Sequence, residues 1–138
     1  MKTFIMPNPH ISGRPILLLP TNRGIELIDI SSIIRIEANS NYSKLFFTNK
    51  KYLVTAKVLR WFDEQLSGEM NGFEFIRVHR THLINNSFIH GYHAGKIRLQ
   101  NGEFIDVSKR KKSFFLKWWL NKLNAFAGSE HPLLRKTG

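Results

Sequence analysis

Between Thr21 and Val107 the chain is a succession of short alternating runs cut by turn-forming clusters, and that rhythm limits what it can fold into. Gly24 opens Ile25–Ile30, and Ser31-Ser32 separates that run from Ile33–Ala38. Asn39-Ser40-Asn41 precedes Tyr42–Phe47, and Thr48-Asn49-Lys50-Lys51 turns the chain into Tyr52–Thr55. Successive strand side chains point to opposite faces, so alternating aromatic and β-branched residues over five or six positions predict half-buried strands. The same texture resumes at Phe73–Val78, Leu83–Ile84, Phe88–Ile89 and Ile97–Leu99. Asn101-Gly102 then lies between Lys96–Gln100 and Glu103–Val107. Asn and Gly both tolerate positive φ, which predicts a two-residue type I′ hairpin there.

Two stretches change to a helical period. Val58, Leu59, Phe62 and Leu66 recur at spacings of three and four, with Thr55 as a capping residue and Ser67-Gly68 as the stop. Ser108 can cap a second helix running to about Phe126, with Phe115, Trp118 or Trp119, Leu123 and Phe126 on one face, before Gly128 ends it. The first twenty residues carry Pro7, Pro9, Pro15 and Pro20 and only one apolar run, Ile16–Leu19. They read as an N-terminal arm with one added edge strand. The expected organisation is an arm at 1–20, one domain at 21–127 and a flexible tail at 128–138. The expected fold class is mainly β, an elongated antiparallel sheet or sandwich arrangement with two short helices.

Composition narrows the function. At 138 residues with 42% apolar side chains, the chain can bury a core without disulfides or a structural metal. Cysteine is absent, which removes thiol nucleophiles, disulfides and Cys-based zinc sites. No stretch approaches the roughly 20 apolar residues of a membrane helix, and nothing resembles a signal peptide. No membrane insertion and a cytoplasmic location are therefore expected. The net charge is +11 and is unevenly spread. From Arg77 to Lys122 there are ten Lys or Arg and two acids, Glu103 and Asp106. Charge concentrated in this way is the footprint expected for a polyanionic partner.

Catalytic constellations are missing. There is no Gly-rich phosphate loop, nucleophile elbow or HExxH, and the adjacent carboxylates Asp63-Glu64 read as a solvated helix surface. The expectation is a protein that is not an enzyme and has no cofactor. Four histidines form His79-x-x-His82 and His90-x-x-His93. On a helix that spacing would suggest zinc, but positions three apart along one strand face opposite ways. Polar or phosphate contacts are the better reading, and no metal is expected. Lys109-Arg110-Lys111-Lys112 would oppose the dipole at the start of a helix. Free backbone N–H groups and cations together suit a phosphate there.

The segment Ile76-Arg77-Val78-His79-Arg80-Thr81-His82-Leu83-Ile84-Asn85 resembles the RVHRS signature of the LytTR family, the DNA-binding output domains of LytR/AlgR-type bacterial response regulators. Ile33–Asn41 with Tyr42 looks like that family's opening block. Lys96–Val107 looks like its late hairpin, and Val107-Ser108-Lys109-Arg110 is similar to its VSxR element. The resemblance runs from about Thr21 to Leu120. It implies a transcriptional regulator whose loops enter successive major grooves of double-stranded DNA, often as two copies on a repeated site. Carried over by motif position, the contact candidates are Asn41, Ser43 and Lys44, then His79 and Arg80, then Lys109, Arg110 and Lys111. Arg80 and Arg110 lead, because Arg bonds guanine O6 and N7 bidentately. Tyr42 is read as core rather than contact.

Family members commonly carry a receiver domain, for which about twenty residues leave no room. The input is then expected from a partner such as a sensor or membrane regulator, from the protein's own concentration, or from nothing, and a homodimer is expected on the DNA. Two other functions fit a basic β domain. One is a structured-RNA-binding protein, against which stands the lack of an RNP-like block. The other is a protein-interaction module that titrates full-length relatives.

Overall fold

The computed structural model describes residues 5–7 and 14–127. They form strands β1 (Ile5–Pro7), β2 (Pro15–Thr21), β3 (Gly24–Asp29), β4 (Ile33–Asn39), β5 (Tyr42–Phe47) and β6 (Tyr52–Thr55), then helix α1 (Leu59–Gln65). Strands β7 (Phe75–His79), β8 (His82–Asn85), β9 (Ile89–His93), β10 (Lys96–Leu99) and β11 (Phe104–Asp106) follow, and helix α2 (Lys112–Ala127) closes the series. The strands make a five-stranded sheet ordered β6-β5-β4-β8-β7 and two three-stranded sheets, β1-β2-β3 and β11-β10-β9. All pairings are antiparallel. The fold is mainly β with two helices, as the alternating pattern predicts.

The five-stranded sheet has a core on each face. On one side Ile33, Ile36, Leu45, Phe75 and Leu83 meet Leu17, Leu19 and Ile28 of the β1–β3 sheet together with Leu59, Phe62 and Leu66. On the other, Ile34, Ile76, Val78 and Ile84 meet Ile89, Ile97, Leu99, Ile105 and Val107, capped by Phe115 of α2. This explains the run Ile33-Ile34-Arg35-Ile36, which has no polar face to offer solvent. The pairing of β4 with β5 shifts between Ile33 and Arg35. A shift of this kind breaks the strict alternation. Ile34 and Arg35 both turn toward the β9–β11 side, while Ile33 and Ile36 turn toward the other.

Arg35 joins the layers. Its side chain is 8% exposed. Nε and Nη2 donate to the two carboxylate oxygens of Glu103 at 3.0 Å each, and Nη1 donates to Glu37 at 2.7 Å. The guanidinium also lies 3.8 Å from the Phe46 ring centroid. Burial alone would lower the Arg35 pKa, but these bonds outweigh it and raise the value further. The Arg35 hydrogen bonds hold the Glu103 carboxyl below the ordinary carboxylate range.

The structure corrects several local expectations. Asn101-Gly102 does not make a two-residue type I′ turn. Gly102 N–H donates to Leu99 O and Leu99 N–H to Glu103 O, and of the two centre residues only Gly102 has positive φ, at 92°. This is the three-residue loop with glycine in the left-handed position, and Asn101 uses its amide on Glu103 instead. Positive φ at both centres occurs between β9 and β10, at Ala94 (51°) and Gly95 (82°). Thr55 remains in β6 and α1 starts at Leu59, so Val58 precedes the helix and is exposed rather than facing the core. Ile16–Leu19 lies in β2, the middle strand of its sheet, and Leu17 and Leu19 are wholly buried. The packed core therefore extends back past residue 20. Lys109–Lys111 form a 3-10 turn leading into α2, which begins only at Lys112. The Phe126 side chain and the tail at 128–138 lie outside the described residues.

Within α2 the aromatic residues divide. Phe115 is wholly buried and its ring stacks on Trp119 at 5.8 Å, while its neighbour Phe114 is 59% exposed. Phe115→Ala should cost about 3–5 kcal/mol in urea unfolding, whereas Phe114→Ala should stay within about 0.5 kcal/mol. Equal costs would show that α2 does not cap this core.

Candidate nucleic-acid interface

Antiparallel register brings distant segments to one end of the five-stranded sheet. β4 and β5 close through Ser40 and Asn41, with Asn39 opposite Tyr42. β7 and β8 close through Arg80 and Thr81, with His79 opposite His82. β8 pairs with β4 through His82 and Glu37, and Ala38 N–H donates to Thr81 O at 2.9 Å. Both tips therefore point the same way. Ser108 N–H donates to Val78 O at 2.9 Å, which docks the 3-10 turn of Lys109–Lys111 against the β7 edge. Strands lie about 4.8 Å apart, so the tips stand about 10 Å apart and the cationic turn about 5 Å further along.

An open cleft of about 520 Å³ separates the β7–β8 tip from the cationic turn. Arg77, His79 and Arg80 line one side, Ser108, Arg110 and Lys111 the other, and Asp63 is the acid among them. Arg77 is engaged: Nε donates to His79 O at 3.0 Å, Nη2 to Arg80 O at 2.7 Å, and Nη1 faces Asp63 at 3.5 Å. Among the described residues, Arg80, Lys109, Arg110 and Lys111 have no carboxylate partner. Like charges held this close favour an anion between them.

The residues marked by the sequence fall into distinct settings. Arg80, Arg110 and Lys111 converge on the cleft with half-buried His79, whose Nδ1 accepts from Thr81 N–H. Lys109 is exposed in the same turn. Asn41 is exposed at the neighbouring tip. Lys44 is half-buried, with its ammonium 4.1 Å from the Tyr52 ring centroid. Ser43 is wholly buried, and its hydroxyl has no partner among the described residues, so no ligand reaches it in this conformation. It shares a face with Leu45, one strand period away, which is why its polar type misleads. Tyr42 is 54% exposed and not core. His79 and His82 are not on opposite faces. They pair across the hairpin with rings 5.6 Å apart, because the tip folds one strand back on the other. Among the described residues no three His, Cys, Asp or Glu gather as a metal site, and no helix is long and apolar enough to cross a membrane. Arg77 is not among the contact candidates carried over from the sequence, although it is the first residue of the RVHRS-like segment.

Residues 23–120 match the family described as LytTr DNA-binding domain. Among solved structures, the LytTr DNA-binding domain of a methyl-accepting/DNA response regulator from Bacillus cereus is similar. It has 24% identity and a TM-score of 0.55, over 74% of this chain and 94% of that one. At that identity the likeness speaks for the fold alone. No curated protein matches the chain.

Burial holds His82 below the ordinary histidine value of 6.5, and its Nδ1 is enclosed without a partner among the described residues. The unfolded chain takes up this proton first as pH falls through about 6.5, so the folded state loses stability below that point. The slope from one such group is at most about 1.4 kcal/mol per pH unit. Urea unfolding at pH 7.5, 6.5 and 5.5 should show His82→Gln losing less stability than the wild type. Equal losses would assign the effect to other groups.

Proposed function

The chain belongs to the LytTr DNA-binding domain family, and from that premise we propose that it regulates transcription by binding double-stranded DNA sequence-specifically through the end of its five-stranded sheet. The family is one of non-catalytic DNA-binding domains. The observation that carries the finer reading is the convergence of Arg80, Arg110 and Lys111, none of them paired with a carboxylate among the described residues, on one open cleft. Arg80 and Arg110 read base edges, Lys109 and Lys111 hold phosphates, and Asn41 approaches from the adjacent tip. A minor groove is about 6 Å wide, so contacts spread over about 15 Å straddle it and enter the major grooves on either side. Buried Ser43 has no part in this reading. The two copies loaded on a repeated site, and a sensor or membrane regulator as source of the signal, belong to the same proposal.

One feature favours a second reading. Tyr42, Lys44 and Phe46 on β5 share a face with Tyr52 and Val54 on β6, and Tyr42, Tyr52 and Val54 are exposed. Aromatic and basic residues on an open sheet face suit stacking of unpaired bases. Comparing duplex DNA with single-stranded RNA at matched salt separates the two.

Selection of bound sites from random duplex DNA should return a defined sequence, and an unselective pool would overturn the proposal. With about five phosphate contacts, log K against log salt should fall with a slope of roughly −4 to −5. Arg110→Ala should cost about 1–3 kcal/mol on the selected site and relax preference at one position, while Lys111→Ala weakens all sequences alike. One module buries only about 600–1,000 Å² on DNA, so two copies should load on sites repeated about 10–11 base pairs apart. Inserting five base pairs should abolish cooperative loading and inserting ten should restore part of it. A 1:1 complex indifferent to spacing would exclude the paired arrangement.

A further inference from the structure

The β7–β8 tip is an irregular hairpin whose carbonyls take partners beyond the β8 ladder. The pairing of β7 with β8 shifts between Arg77 and His79. Val78, His79 and Arg80 each turn a carbonyl to a partner outside the β8 ladder. Ser108 N–H takes Val78 O, while Arg77 takes His79 O through Nε and Arg80 O through Nη2. One planar guanidinium thus holds the two successive carbonyls from which the Arg80 side chain springs. Its remaining nitrogen faces Asp63 on α1. The far side of the tip is held as well: Ala38 N–H donates to Thr81 O, and Thr81 N–H donates to the His79 ring.

From this geometry we propose that Arg77 is a positioning residue for DNA recognition: its fork locks the Arg80 carbonyl and so sets the direction in which the Arg80 side chain leaves the tip. The inference rests on the reading of Arg80 as a base contact and adds the device that aims it. Arg suits the role because its fork is rigid and spans two acceptors at once, whereas a Lys ammonium is a single point charge on a flexible stem. Aim matters because a bidentate contact to guanine needs both donors in the plane of the base edge. A tip free to rock would keep its charge near the DNA but lose its selectivity.

The test compares two quantities on the full chain: discrimination, the ratio of Kd on a scrambled duplex to Kd on the selected site, and the slope of log K against log salt. Arg77→Lys retains the charge, so the slope should hold. Discrimination should fall about tenfold, near the loss caused by Arg80→Ala. The double variant should discriminate no worse than Arg80→Ala alone, because a residue acting through Arg80 has nothing left to act on. Asp63→Asn, which leaves both carbonyl contacts in place, should stay within about twofold of wild type.

Several results overturn the inference. Discrimination intact in Arg77→Lys would mean charge alone suffices, as for a direct phosphate contact. Additive losses in the double variant would mean that Arg77 acts independently of Arg80. A loss in Asp63→Asn equal to that in Arg77→Lys would assign the effect to packing between α1 and β7. If Arg80→Ala itself leaves discrimination unchanged, the base-contact reading of the tip falls, and the inference falls with it.

Discussion

The buried guanidinium of Arg35 is the interaction on which the layering depends. β4 runs through the middle of the molecule with a core on each face, so an arginine in its centre must find acceptors or unfold the strand around it. Glu103 provides both oxygens, Glu37 provides one, and the Phe46 ring covers the flat face. Glu37 lies on β4 itself, whereas Glu103 lies between β10 and β11 of the other sheet, 68 residues from Arg35 in the chain. The tie therefore sets the β9–β11 sheet at a fixed height over β4. It reaches further, into the Asn101-Gly102 loop: Gly102 takes the left-handed turn and the Asn101 amide bonds both the backbone and the carboxylate of Glu103. A local turn signal thus supports a contact between layers.

That fixed height positions the cationic turn. Val107 ends the last hairpin inside the second core, and Ser108 N–H then catches Val78 O at the edge of β7. Lys109, Arg110 and Lys111 follow directly, and Arg110 and Lys111 face Arg80 across the cleft. Acids lie within reach of other cations: Glu103 and Glu37 hold Arg35, Asp106 holds Lys96, and Glu74 holds Lys122. Asp63 faces Arg77. The cations at the sheet end are thus left facing solvent and one another. Such an arrangement costs stability through self-repulsion and gains from a polyanion. The His79 and Arg80 carbonyls keep Arg77 turned inward, while Arg80 has no carboxylate partner among the described residues.

Much of this was legible from the chain. Tyr42–Phe47 and Tyr52–Thr55 are strands with the bounds expected from their patterning, because short alternating runs between turn residues have few other ways to bury one face. β2 was underestimated: four prolines around Ile16–Leu19 read as an arm, although proline is compatible with the ends of a strand. Val58 and Thr55 misled because the helical period begins one residue after an extended segment that local patterning does not mark. The family signature marked Arg80, Arg110 and Lys111, which the fold gathers, and also Ser43, which it buries.

What the order of residues determined was the local content: which stretches are strands, where the turns fall, how the charge is divided, and that no cysteine chemistry is available. These depend on side-chain period and type, which act over a few neighbouring positions. The pairing of His79 with His82, the burial of Ser43 and the cleft between Arg80 and Arg110 depend on register and layer contacts between segments dozens of residues apart. A one-residue slip of register turns every side chain to the other face. Packing both faces of β4 at once is what excludes that slip, and only the assembled layers impose it.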